Sequence, residues 1–127
     1  MIAVDKSALM AIALDEPDSC RCIDILEVAD EVLILAGTVA ETLSVARPAM
    51  SEWRLRPLIE GLGFKIIPVT PLGARQVAQA YDQWGKGIHR AGLNFGDCFA
   101  YALARERDCP LLYVGQDFSK TDLATAL

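Results

Sequence analysis

Four acidic residues stand where a parallel sheet would gather a ligand. Asp5 follows the short apolar run Ile2, Ala3 and Val4, and Glu41 lies in TVAETLSVA, just after the apolar run EVLILAG. Asp97 is the sole acid of NFGDCFAYALA, and Asp117 follows LLYVG. Carboxylates crowded into a low-dielectric place repel one another, and a divalent cation with oxygen ligands is the usual remedy. No His or Cys occupies the four places, which points to Mg²⁺ or Mn²⁺ before zinc. A carboxylate cluster around such an ion hydrolyses phosphodiesters: the metal acidifies a bound water and offsets charge on the scissile phosphate and leaving oxygen. Each acid alone also has a structural explanation. Asp5 could end a strand, Asp97 could favour a helix start as the third residue after Asn94, and Asp117 could open a turn. Glu41 resists that explanation most, because its surroundings are apolar or small.

The elements that must position these acids follow from the hydrophobic pattern. Residues 2–4 form a buried strand, and a short helix from about Ser7 breaks at Pro17. Asp18 is a plausible N-cap for a helix with apolar positions Cys22, Ile23, Leu26 and Ala29. EVLILAG is the second strand, closed by Gly37, with Thr38 capping a helix through Val45; Pro48 ends or kinks it. A helix over residues 50–62 stops at GLG, where glycine suits a left-handed cap. FKIIPVT is the third strand, and Pro68 places it near a sheet edge. A helix over residues 71–84, the loop GKGIHRAG, and a helix capped by Asn94 and running to about Arg107 lead to the last strand, LLYVG. DFSKTDL reads as a polar tail or turn. Strands separated by helices require crossover connections, so the expected fold is an α/β/α sandwich with a small, mainly parallel sheet of four or five strands. Ligands collect at the carboxyl ends of such strands, where all four acids fall.

At 127 residues the chain fits one domain, residues 1–127, with one core. Seventeen acids against twelve Lys and Arg give a net charge of −5, so nucleic acid must meet a local basic patch and not a general field. No segment approaches the ~20 unbroken apolar residues of a membrane span. MIAVD reaches an acid at its fifth position, without the basic and apolar parts of a secretory signal, so a cytoplasmic location is expected. Cys20, Cys22, Cys98 and Cys109 form neither a CxxC knuckle nor a disulfide framework and read as reduced core thiols.

The segments IAVDKSALMAI, TVAE, YDQWGKGIHRAGLNFGDCFAYALA and PLLYVGQDFSKTDL, in that order, resemble the PIN-domain toxins of the VapC type over essentially the whole chain. The stretch from GKG to FAYALA carries the most specific part. The resemblance implies a small α/β/α domain that cleaves RNA endonucleolytically with Mg²⁺ or Mn²⁺, often structured RNA such as tRNA. It also implies a homodimer and neutralisation by a cognate VapB-like antitoxin. Position by position it places the acidic quartet on Asp5, Glu41, Asp97 and Asp117, with Asp5, Asp97 and Asp117 as metal ligands. Ser7 would hydrogen-bond a ligand carboxylate, Asn94 would cap and order the site, and Asp122 would support it. One departure is Lys6, where such toxins carry a small or hydroxylated residue. Strand alternation would let it face away from the site. A phosphate contact and an ammonium competing with the metal are the other readings. The last defines an alternative function, a catalytically weakened PIN-fold module that binds RNA or antitoxin while Lys6 perturbs the metal site.

The basic groups available for RNA are Arg47, Arg54, Arg56, Lys86, His89 and Arg90. Lys86, His89 and Arg90 are preferred because their loop leads into the Asp97 helix, although a charged loop is also commonly just solvated. A general-base role for His89 is disfavoured, since metal-bound water does that task. Trp53 and Trp84 could stack on bases, but filling helix-packing gaps or a partner interface is the favoured reading. Leu9, Met10, Ile12, Ile23 and Leu26 supply more apolar surface than a short helical hairpin needs, some of it for an antitoxin segment or second subunit. A receiver or phosphatase domain is disfavoured, because the last strand ends in Gly115, Gln116 and Asp117.

Overall fold

The computed structural model describes the backbone of residues 1–127 and every side chain except those of Ala49, Ser51 and Glu52. Strand β1 (Ile2–Val4) pairs in parallel with β2 (Val32–Leu35), through Ala3 opposite Leu33. On its other side β1 pairs in parallel with β4 (Leu111–Leu112), and β2 pairs in parallel with β3 (Lys65–Ile67). The order β3-β2-β1-β4 puts the two most apolar strands at the centre and Lys65 and Ile66 on an exposed edge, where Pro68 sacrifices no ladder bond.

Seven helices connect and cover these strands: α1 (Lys6–Ala13), α2 (Ser19–Val28), α3 (Ala36–Val45), α4 (Pro48–Met50), α5 (Arg56–Gly61), α6 (Pro71–Trp84) and α7 (Phe95–Arg107). Side-chain alternation along the strands divides the core in two. Ala3, Leu33 and Leu111 face Val77, Ala80, Tyr101 and Leu103 of α6 and α7, while Val4, Ile34 and Leu112 face Leu9, Leu26, Leu55 and Ile59. This is the expected α/β/α sandwich, with four strands.

Three local expectations need correction. The segment 50–62 is not one helix: a π-helical turn, Ser51–Leu55, separates α4 from α5. Pro57 lacks an amide hydrogen and so cannot donate back into a regular ladder, which favours the wider turn ahead of it. Thr38 is not the cap of α3, which starts at Ala36 directly from the strand end, leaving Thr38 fully buried in its first turn. Gly37 serves packing instead, since a Cβ there would overlap the Phe99 ring of α7. The polar-looking tail is also anchored: Phe118 is buried against Tyr113, and the chain end runs beside β4, with Leu111 N–H donating to Ala124 O (3.0 Å) and Ala126 N–H to Leu111 O (2.9 Å).

Gly63 lies at φ 65° just beyond α5, the left-handed position expected of GLG. Trp53 is 81% exposed and fills no helix-packing gap, whereas Trp84 packs on Tyr101. Leu9 and Leu26 are core residues, so of the five apolar residues expected to offer surplus surface only Met10, Ile12 and Ile23 stay partly exposed, and α2 adds Val28, which is 81% exposed. Cys22, Cys98 and Cys109 are buried free thiols, but Cys20 is exposed.

Candidate active site

Asp5 ends β1 and is the N-cap of α1, so one residue both closes a central strand and opens a helix. Its N–H donates to Leu112 O of β4 (3.0 Å). Its Oδ2 accepts from the Ser7 amide (3.0 Å) and the Ser7 hydroxyl (2.7 Å), while Ser7 Oγ accepts from Val114 N–H (3.0 Å). Ser7 therefore fixes the carboxylate and ties it to the segment after β4. The other oxygen, Oδ1, is buried without a hydrogen-bond partner, and the side chain is only 2% exposed. Burial pushes the Asp5 carboxyl above its ordinary range, against the pull of the Ser7 hydrogen bonds and the Lys6 charge.

Asp97 occupies the third position of α7 in a capping box. Asn94 Oδ1 accepts from Asp97 N–H (2.8 Å), and Asp97 Oδ2 accepts from Asn94 N–H (3.0 Å). The box engages Oδ2. The carboxyl, 4% exposed, is pushed up to about 7, first by burial and then by the charges of Asp5, Asp117 and Glu41, with the Asn94 amide opposing. Asp5 ends β1, Glu41 follows β2 on α3, Asp97 lies in the first turn of α7 and Asp117 follows β4.

Glu41 reaches this place from α3. Burial raises its carboxyl, Lys6 lowers it and Asp5 raises it again. Gly96 of α7 abuts it, so that a Cβ at position 96 would coincide with Oε2. Its Oε1 has no hydrogen bond but lies 3.7 Å from Lys6 Nζ. Lys6 thus faces the acids after all: as the first residue of a helix and not the last of a strand, it does not follow strand alternation. Asp117 sits exposed beyond β4, two residues after Gly115, which adopts φ 98°.

Among the described residues no three acid, His or Cys side chains form a ready-made metal cage. The quartet shares a field without a finished coordination shell. It nevertheless fits a hard divalent cation, because its donors are all oxygen and Asp5 Oδ1 is buried without a hydrogen-bond partner.

The supporting residues divide. Ser7 and Asn94 touch the acids as expected. Asp122 instead accepts from the Tyr101 hydroxyl (2.8 Å) and lies 3.9 Å from Arg105 Nη1, and it is not among the charges that raise Asp97. Tyr101 is one turn beyond Asp97, so the contact braces α7 and not its acidic end. Lys86 and Arg90 are exposed on the loop that Lys86 N–H to Leu93 O (2.9 Å) and Leu93 N–H to Trp84 O (3.0 Å) pin ahead of Asn94. His89 Nδ1 accepts from Ala91 N–H (3.0 Å), and its ring meets Trp84 edge-on at 4.7 Å. Gly96 was missed from sequence. A glycine inside a helix costs about 1 kcal/mol relative to alanine, and that cost is the signal of a close approach.

The PIN domain family model matches residues 2–123. Ribonuclease VapC28 of Mycobacterium tuberculosis is 42% identical over 98% of this chain and 96% of its own length. The chain belongs to the VapC ribonucleases of the PIN-domain family. A ribonuclease VapC of Mycolicibacterium smegmatis is 39% identical over 97% of this VapC chain and 98% of its own. Among solved structures, the M. tuberculosis VapC20, described as a sarcin-ricin loop cleaving toxin, superposes with a TM-score of 0.72 at 16% identity over 98% of this chain and 97% of that one. A toxin-antitoxin complex from Klebsiella pneumoniae gives 0.73 at 15% identity over 100% and 98%. Those two likenesses show the shared fold, and the relatives near 40% identity show the VapC family. PIN-domain nucleases are generally metal-dependent, in keeping with the oxygen-only donor set.

Proposed function

We propose that this VapC chain is a Mg²⁺- or Mn²⁺-dependent endoribonuclease toxin that cleaves structured RNA such as tRNA, with Asp5, Asp97 and Asp117 as metal ligands and Glu41 completing the site. The observation that carries the reading is Asp5, a 2% exposed acid at the end of β1 whose Oδ1 is buried without a hydrogen-bond partner. A buried carboxylate oxygen left open in that way suits an oxygen-seeking divalent cation. When bound, the ion supplies an acidified water and offsets charge on the scissile phosphate. Ser7 holds the Asp5 rotamer, Asn94 holds Asp97, and Lys86 and Arg90 are placed to take flanking phosphates. His89 serves the loop, since its Nδ1 is spent on Ala91.

An antitoxin is part of the proposal. A cavity of about 530 Å³ between α1, α2, the π-helical turn and α5 is lined by Ile12, Ala13, Ile23, Pro57 and Leu58 together with Asp15, Ser19 and Arg54, with room for apolar and charged side chains of a partner segment. Solved relatives of the fold include toxin-antitoxin assemblies from Klebsiella pneumoniae and Rickettsia felis. The homodimer and the cytoplasmic location remain part of the reading; among the described residues no helix is long and apolar enough to cross a membrane. One observation favours a second reading, the weakened binding module: Lys6 already neutralises part of the site.

Asp5→Asn and Asp97→Asn test the primary reading. Each should abolish RNA cleavage while the circular dichroism stays native; wild-type cleavage by both would sink it.

A further inference from the structure

Lys6 and Glu41 form the one pair of opposite charges inside the acidic site among the described residues. Their side chains are 25% and 20% exposed, so the pair is largely withdrawn from water. Glu41 Oε2 lies against Gly96, where a Cβ would overlap it. The carboxylate meets an ammonium at Oε1 and helix α7 at Oε2, with Oε1 otherwise unpartnered.

The compensation is one-sided. Lys6 Nζ lies 3.7 Å from Glu41 Oε1, whereas Asp97 is held through Oδ2 by the Asn94 amide (3.0 Å). The Glu41 side of the site therefore has a resident cation.

We infer that Lys6 is a tethered cation standing in, at Glu41, for a metal ion, so that the chain binds a single divalent ion away from Glu41. This rests on the metal-dependent reading above. An ammonium and a dication sharing one carboxylate repel each other strongly at such separations. The second ion of a two-metal arrangement has no place while Lys6 holds Glu41. Lys6 is a positioning residue here, acting through Glu41 and not on the reacting phosphate.

Calorimetric titration of the full chain with Mn²⁺ alone, with bound ions counted by electron paramagnetic resonance, tests this without any RNA. Wild type should bind one ion. Lys6→Met, which keeps the stem and loses the charge, should bind a second ion or bind about tenfold more tightly, and Lys6→Arg should match wild type. In a Glu41→Gln background, Lys6→Met should make no difference. Equal number and affinity for wild type and Lys6→Met overturn the inference and leave the metal-dependent reading intact. Binding by Lys6→Met alone also overturns it, since wild type then excludes the ion. If no natively folded variant binds Mn²⁺, the metal-dependent reading falls as well.

Discussion

The Gly96 α-carbon lies against the Glu41 carboxylate, so that a methyl group at position 96 would overlap Oε2 and come within 2.7 Å of Oε1. Helix α7 and helix α3 are thereby keyed together at the site. Replacing a helical glycine with alanine ordinarily stabilises by up to about 1 kcal/mol. Here the sign reverses: Gly96→Ala should lose about 1–3 kcal/mol to overpacking, measured by urea denaturation, and RNA cleavage should drop with Glu41 displaced. In a Glu41→Ala background the same change should be neutral or stabilising. Equal destabilisation in both backgrounds would show that some other contact carries the effect.

Asp97 gives the metal-free protein a defined pH dependence. An acid that holds its proton more tightly when folded adds stability at low pH and loses it as pH rises through the folded value, from 3.8 towards about 7. Asp5 and Glu41 are raised as well, and act in the same direction. Thermal midpoints of metal-free protein should therefore fall as pH rises across that window. Asp97→Asn keeps an acceptor for the Asn94 amide and should flatten the slope, recovering no more than about 4 kcal/mol near neutrality. A steeper slope in the variant would contradict the assignment.

Ser7 joins β1 to the segment after β4 through one hydroxyl. Ser7→Ala removes the donor to Asp5 Oδ2 and leaves Val114 N–H without its acceptor. The expected loss is about 1–3 kcal/mol in denaturant unfolding, with slower RNA cleavage; Ser7→Thr should retain most of both.

His89 should prove dispensable for chemistry. Asn can replace Nδ1 as the acceptor for Ala91 N–H, so His89→Asn should cleave RNA within a few-fold of wild type, with an unchanged pH-rate profile. Loss of an acidic limb from that profile would restore the general-base role.

The strand-end acids were legible because their positions follow from hydrophobic runs and turn residues, which the short parallel strands obey. Asn94 read correctly as the cap of α7, and α6 keeps its expected bounds. What escaped depends on contacts between elements distant in sequence. Gly37 looked like a strand terminator but admits Phe99, and Gly96 looked incidental but admits Glu41. Lys6 was misjudged by one residue of secondary structure, because strand geometry stops at Val4. Asp122 matched a family position, yet its partner is the Tyr101 hydroxyl, which periodicity cannot reveal.

The central claim, that this acidic quartet hydrolyses RNA with a divalent cation, is tested most directly by the new RNA ends formed by purified wild-type chain with Mg²⁺, with chelator, and with Mg²⁺ restored. Attack by water leaves a linear monophosphate, whereas attack by the neighbouring ribose hydroxyl leaves a cyclic phosphate. The account predicts cleavage only when Mg²⁺ is present, with linear ends, and none from Asp97→Asn. Cleavage that persists in chelator and leaves cyclic phosphate ends would contradict it.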